Sequence, residues 1–137
     1  MATILIVDDE EPIRTLLRYV LEKARYTVVE ATNGMEAIKL FRRHPVDLVI
    51  TDLFMPTQDG LETIPALRGL NPRLPIIAMS GGGSAAQFDL LHTAQVFGAT
   101  QVLLKPFRVE NVLETVRSLL PENSSATLAE PDEGQKA

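Results

Sequence analysis

The 137 residues carry 18 acids against 13 bases, a net charge of −5, with 45% hydrophobic residues, 23% charged residues and no cysteine. That is the size and composition of one globular domain with its own core. The acidic balance excludes a broad electrostatic grip on nucleic acid or anionic membrane, and the lack of cysteine excludes disulfides, zinc–thiolate sites and cysteine nucleophiles. The two histidines, His44 and His92, are far apart with no ligand spacing around either, which excludes a histidine-rich metal site. No apolar run approaches the roughly 18 residues of a membrane span. The N-terminus enters a strand-like run without a basic, apolar leader. The expected location is the cytoplasm, with no membrane insertion.

Ile4-Leu5-Ile6-Val7 is a short continuous apolar run, the pattern of a strand buried on both faces. The acids Asp8-Asp9-Glu10-Glu11 precede Pro12, and acids and proline both suit a first helical turn. Ile13, Leu16, Leu17, Val20, Leu21 and Ala24 recur at helical spacing and define a first helix. A second strand is predicted over 26–30. A second helix is predicted over 35–43, burying Ala37, Ile38 and Phe41 and ending at His44-Pro45. Val46, Leu48, Val49 and Ile50 form a third strand that runs into Thr51-Asp52. Leu61, Ile64, Leu67 and Leu70 mark a third helix, which is kinked or starts late because Pro65 interrupts it. A fourth strand spans 75–79 and is followed by Ser80-Gly81-Gly82-Gly83. A fourth helix covers 85–97 and ends at Gly98. A fifth strand covers 101–104, followed by Lys105-Pro106. Val109, Val112, Leu113, Val116 and Leu120 define a fifth helix. Residues 121–137 hold four acids, one lysine and a single sizeable apolar residue, Leu128. They read as a disordered acidic tail on a domain of residues 1–120.

Alternating strands and helices imply an α/β fold with a parallel sheet covered on both faces. Ligands of such sheets bind beyond the carboxyl ends of the strands. Chemistry is therefore expected where Asp8 and Asp9 follow strand one, Asp52 closes strand three, Ser80 follows strand four and Lys105 follows strand five. Each feature alone has a plainer reading, as a helix cap, a turn or a loop. Together they place three carboxylates, a hydroxyl and an ammonium at one edge. A hard divalent cation relieves the repulsion among three carboxylates, and Mg²⁺ suits a site of few protein oxygens. The ammonium and hydroxyl suit a transferring phosphoryl group.

Four segments carry a resemblance: residues 4–10, residues 47–56 followed by Asp59-Gly60, residues 75–80, and Leu104-Lys105-Pro106-Phe107. They resemble the signatures of response-regulator receiver domains over roughly residues 3–120. The resemblance implies a doubly wound, flavodoxin-like, five-stranded sheet in the order 2-1-3-4-5 with five helices. It also implies roles. Asp52 is the phosphoacceptor, taking its phosphoryl group from a phosphohistidine. Asp9, Asp52 and the backbone carbonyl of Phe54 ligate Mg²⁺, and Asp8 acts through a water. Lys105 pairs with Asp52 and then with the phosphoryl oxygens, and Ser80 hydrogen-bonds the phosphoryl group in the active state. The Lys105–Pro106 peptide is cis.

Two departures bear on switching. Val102 stands where the family often has an aromatic residue. The 25 positions from Ser80 to Lys105 exceed the spacing in chemotaxis members, with the excess assigned to Gly81-Gly82-Gly83. These direct the expected switch to the loop 80–84 and the fourth helix. Arg14 and Arg18, one turn apart, read as a solvated face of the first helix, which in the family borders the phosphodonor's docking surface.

The expected function is a stand-alone phosphoacceptor module of a two-component pathway, signalling through a protein target or relaying the phosphoryl group. It is not expected to be an enzyme in its own right. Its expected donor is a histidine kinase or histidine phosphotransfer protein, with no direct binding of nucleic acid. A receiver-like module that is never phosphorylated is the alternative. A haloacid-dehalogenase-type phosphatase needs an acid two residues after its nucleophile, where this chain has Phe54.

Overall fold

Five parallel strands line up in the order β2-β1-β3-β4-β5: β1 (Thr3–Val7), β2 (Thr27–Ala31), β3 (Leu48–Asp52), β4 (Ile76–Gly81) and β5 (Gln101–Lys105). The computed structural model describes residues 2–53, 60–81, 95 and 98–120. Four helices fall within those residues: α1 (Glu11–Lys23), α2 (Gly34–Arg43), α3 (Gly60–Leu70) and α4 (Val109–Leu119). The last is the fifth of the predicted helices. The helix predicted over 85–97, apart from the helical Gln95, lies outside the described residues, as do the tail 121–137, His92 and Phe54.

The continuous apolar runs are explained by burial on both faces of the sheet. Alternate side chains of one strand point to opposite faces. Leu5, Val7, Val49, Ile76 and Ala78 join Ala37, Ile64 and Leu67 of α2 and α3 in one core. Ile4, Ile6, Leu48, Ile50, Ile77 and Met79 join Leu17, Leu21, Val112 and Val116 of α1 and α4 in the other. β1 and β3 are buried almost throughout and show no polar alternation, whereas the edge strands β2 and β5 keep exposed positions at Thr27, Gln101 and Leu104.

Local signals set the helix ends. Asn33 caps α2, its side chain accepting the Glu36 N–H at 2.9 Å, while the Glu36 carboxylate receives the N–H and hydroxyl of Thr32. That reciprocal arrangement satisfies amide donors that the helix itself leaves orphaned. Helix α1 ends where the Tyr26 N–H reaches the Leu21 carbonyl and the Arg25 N–H reaches the Glu22 carbonyl. This is a Schellman closure, and it puts Arg25 at φ 76°. A side chain with a Cβ is disfavoured there. Arg25 is exposed, so Arg25→Gly should raise stability by roughly 0.5–1 kcal/mol, read as a higher melting temperature. An unchanged or lower value would mean that the arginine side chain contributes more than its backbone costs.

Helix α3 begins at Gly60 and runs on through Pro65, so a late start is not how the proline is accommodated. Thr63, Ile64 and Leu67 are fully buried, whereas Leu70 is 42% exposed and lies outside the apolar stripe expected for it. In the last turn of α3, Arg68 is a polar anchor. Its guanidinium donates to the carbonyls of Pro72 (3.0 Å), Leu74 (2.6 Å) and Gly98, tying the α3–β4 turn to the segment entering β5.

Candidate functional site

Strand register builds the site before any side chain is considered. Val7 pairs with Thr51, so the next residues, Asp8 and Asp52, stand level on neighbouring strands. Asp52 pairs with Met79, Ser80 with Leu104, and Gly81 with Lys105. Ser80 and Lys105 therefore lie inside the ends of β4 and β5, not after them as the apolar runs suggested. Backbone pairing continues past the last apolar residue because the neighbouring strand is still there to accept it. Side-chain parity puts Asp8, Asp52 and Lys105 on the α1/α4 side, with Ile6, Ile50 and Leu103. Ser80 has the parity of Ala78, on the other side.

The site is largely closed to water. Asp8 and Ser80 are fully buried and Asp52 is 6% exposed, whereas Asp9 is exposed. Lys105 Nζ lies 3.0 Å from Asp8 Oδ2 and 3.5 Å from Asp52 Oδ1. The ammonium thus favours Asp8, although the resemblance pairs it with Asp52. Asp52 Oδ1 also accepts the Leu53 N–H at 3.0 Å, and Thr51 Oγ1 donates to the Asp52 carbonyl at 3.0 Å. The Lys105–Pro106 peptide is cis, as the resemblance implies.

Burial, then the negative charge of Asp8, pushes the Asp52 carboxyl up to about 6, against the pull of Lys105 and the Leu53 amide. Burial works against the Lys105 charge as well. The hydrogen bond to Asp8 and the charges of Asp52, Asp8 and Glu10 outweigh it and hold the ammonium above its usual range.

Asp8, Asp9 and Asp52 each offer a carboxylate oxygen, all within 4.8 Å of one another. Asp8 and Asp52 share one ammonium in a desolvated place, with the exposed Asp9 beside them; burial first, and then the Asp8 charge, disfavours the ionised form of Asp52. A small divalent cation fits that donor set. The backbone carbonyl expected from Phe54 lies outside the described residues.

Residues 4–117 match the response regulator receiver domain family. The chain belongs to that family. The receiver domain is 31% identical over 122 residues to sporulation initiation phosphotransferase F of Bacillus subtilis, covering 89% of this chain and 96% of that protein. It is 37% identical over 131 residues to response regulator MprA of a Mycobacterium species, covering 96% of this chain but 53% of that protein. It thus spans about half the length of some curated relatives. Among solved structures, chemotaxis protein CheY4 of Vibrio cholerae superposes with a TM-score of 0.79 at 31% identity, covering 87% of this chain and 98% of that one. The expected flavodoxin-like, doubly wound architecture is the one observed.

Sequence reasoning missed one part of the receiver site. Arg14 is not on a solvated face: its side chain is 13% exposed, and Nε is bonded to Glu30 Oε1 of β2 at 3.0 Å. Arg18 pairs with the same carboxylate and with Glu22. Burial raises the Glu30 pKa, but the bonds from Arg18 and Arg14 overcome it and hold the carboxyl below its usual value. The available signal was Glu30 itself, an acid in an otherwise apolar strand, for which a cation must be found.

Proposed function

We propose that the receiver domain is a two-component phosphoacceptor that takes a phosphoryl group from a histidine kinase or histidine phosphotransfer protein onto Asp52. The observation that carries this reading is one buried carboxylate, Asp52, held level with Asp8 and within 3.5 Å of the Lys105 ammonium. A carboxyl titrating at about 6 is mostly ionised at neutral pH and is a competent nucleophile. An oxygen of Asp52 attacks the phosphorus of the donor phosphohistidine. The new O–P bond forms as the P–N bond breaks, and the electron pair leaves on the imidazole nitrogen, which takes a proton from solvent. Lys105 gives up part of its contact with Asp8 to face the equatorial oxygens where negative charge is spread. Ser80 has its parity on the Ala78 side of β4, so its hydroxyl donates to the phosphoryl group by turning over the carboxyl edge of the sheet.

Asp9, Asp52 and the Phe54 carbonyl would hold Mg²⁺ directly and Asp8 through a water, as the resemblance implies, and the ion would supply charge neutralisation to the transferring group. Leu16 and Tyr19 are exposed on α1, the helix that starts beside the site. With Val20, Val109 and Leu113 they line a groove of about 450 Å³ between α1 and α4. We assign this largely apolar face, on the helix that borders the phosphodonor's docking surface in the family, to contact with the donor. No helix of the described residues is long and apolar enough to cross a membrane. Signalling then follows through a protein target or onward relay.

The test is incubation with acetyl phosphate, with and without Mg²⁺, followed by intact-mass measurement and peptide mapping. A single phosphoryl adduct on Asp52, lost on chelation, is the expected result. An adduct on another residue, continuous phosphate release without an adduct on Asp52, or no adduct at all would refute it.

A further inference from the structure

We infer that Arg14 is a positioning residue for the acidic site: it fixes the backbone of Asp8 and thereby the geometry in which Asp8 and Asp9 meet a divalent cation. This inference rests on the proposed reading of the site as a Mg²⁺-dependent phosphoacceptor.

Asp8 stands one residue past the end of β1, where the sheet ladder no longer serves its backbone fully. Its N–H still reaches the Ala31 carbonyl of β2 at 3.1 Å. Its carbonyl receives Arg14 Nη1 at 2.8 Å. Its side chain is committed as well, Oδ1 to the Glu10 N–H at 2.9 Å and Oδ2 to Lys105 Nζ at 3.0 Å. The residue is fully buried, so a carbonyl deprived of its donor could not turn to water in place.

Arg14 suits this task for a chemical reason. It donates in two directions at once, Nε to Glu30 and Nη1 to the Asp8 carbonyl. The planar guanidinium makes the second bond a consequence of the first. Glu30 is in turn held by Arg18, so the anchor is itself braced across α1 and β2. A lysine carries the charge and three donors but not the planar fork that aims two of them at fixed directions. The exposed Asp9 follows Asp8 directly in the chain, so the Asp8 peptide orientation also sets where the Asp9 carboxylate lies.

The experiment uses the full chain and compares wild type with Arg14→Met, Arg14→Lys and Glu30→Gln. Three readouts are taken: the Mg²⁺ dissociation constant from amide shifts of the β1–α1 turn, amide exchange at Asp8 and Glu10, and the rate of phosphorylation by acetyl phosphate at saturating Mg²⁺. Arg14→Met keeps the apolar stem and removes the donors. It should weaken Mg²⁺ binding about tenfold, the lower end for groups that orient metal ligands, and speed exchange at Asp8 and Glu10. The rate at saturating Mg²⁺ should fall far less than the affinity. Arg14→Lys should recover only part of the affinity. Glu30→Gln should lie between wild type and Arg14→Met, and it decides the matter if Arg14→Met does not fold.

An unchanged Mg²⁺ affinity in the folded variants would overturn the inference while leaving the phosphoacceptor reading intact. A lower melting temperature with wild-type affinity and exchange would show that Arg14 only stabilises the fold, and would overturn it too. Failure of the wild type to bind Mg²⁺ would instead overturn the phosphoacceptor reading. Exchange at Asp8 and Glu10 then decides for Arg14 alone: faster exchange in Arg14→Met supports a positioning role, and equal exchange overturns it.

Discussion

Asp52→Asn should make the metal-free receiver domain more stable at pH 7 while abolishing its capacity to be phosphorylated. The Asp52 carboxyl rises from 3.8 to about 6 on folding, because burial and Asp8 disfavour its charge. The folded state therefore binds the proton more tightly than the unfolded state. Stability is lost as pH climbs from about 4 through 6, and the loss is complete above that window. A shift of this size corresponds to on the order of 2–3 kcal/mol. Asparagine keeps the volume and removes the charge, and it leaves the pair between Lys105 and Asp8 in place. A rise in melting temperature of roughly 5–10 °C is expected at pH 7 in the presence of a chelator. At pH 4 the difference should nearly vanish. Adding Mg²⁺ should stabilise wild type more than the variant, because the variant has lost one of three carboxylates. A destabilised Asp52→Asn at pH 7 would mean that the Asp52 charge is well compensated in the folded state, contrary to the electrostatics derived from its surroundings.

Lys105→Met carries the second large effect, and here stability and chemistry are affected by different routes. Viewed by charge alone, the lysine serves the transition state more than the fold. The structure adds a cost to folding. Lys105 is the cation bonded to fully buried Asp8 and placed beside Asp52, and removing one partner of a buried pair leaves the other uncompensated. A loss of about 3 kcal/mol is expected in the metal-free protein. Mg²⁺ should restore most of the melting temperature, since a dication among the carboxylates takes over their compensation. It should not restore phosphotransfer, because the ammonium stabilises the phosphoryl oxygens directly. The rate should stay down by roughly 10²–10³ at saturating Mg²⁺. Recovery of both properties with Mg²⁺ would show that the lysine acts only as a counter-charge. A normal rate with a permanently lowered melting temperature would show that it is structural.

Much of the receiver architecture was readable because one physical constraint writes itself into consecutive residues. A strand covered on both faces must be apolar throughout. Ile4–Val7, Leu48–Ile50 and Ile76–Met79 therefore appear as uninterrupted runs, with helical periodicity between them. The short links that such alternation requires make the sheet parallel and bring the carboxyl ends of the strands to one edge. The polar residues at those ends, Asp8, Asp9, Asp52, Ser80 and Lys105, stand out against apolar neighbours for the same reason. The cap at Asn33 and its partner Glu36 stand three residues apart, a local pattern, although the apolar periodicity starts the second helix only at residue 35.

What depended on residues distant in sequence was not legible. Register is a pairing property, so only the folded sheet shows that Asp8 stands level with Asp52 and that Ser80 and Lys105 are strand residues. The choice of Lys105 for Asp8 over Asp52, 3.0 Å against 3.5 Å, is set by side-chain reach across three strands. Pro65 inside α3 and the exposure of Leu70 follow from how that helix lies on the sheet, which its own periodicity does not encode. Arg14 and Arg18 have the spacing of a solvated helix face, and only the position of Glu30 on the neighbouring β2 turns Arg14 inward, onto the Asp8 carbonyl. The sequence by itself determined the fold class and the chemical inventory of the site, because burial and local capping act on near neighbours. Tertiary structure alone decided which of those groups touch, because hydrogen bonds and charges are satisfied across elements whose separation along the chain says nothing of their distance in space.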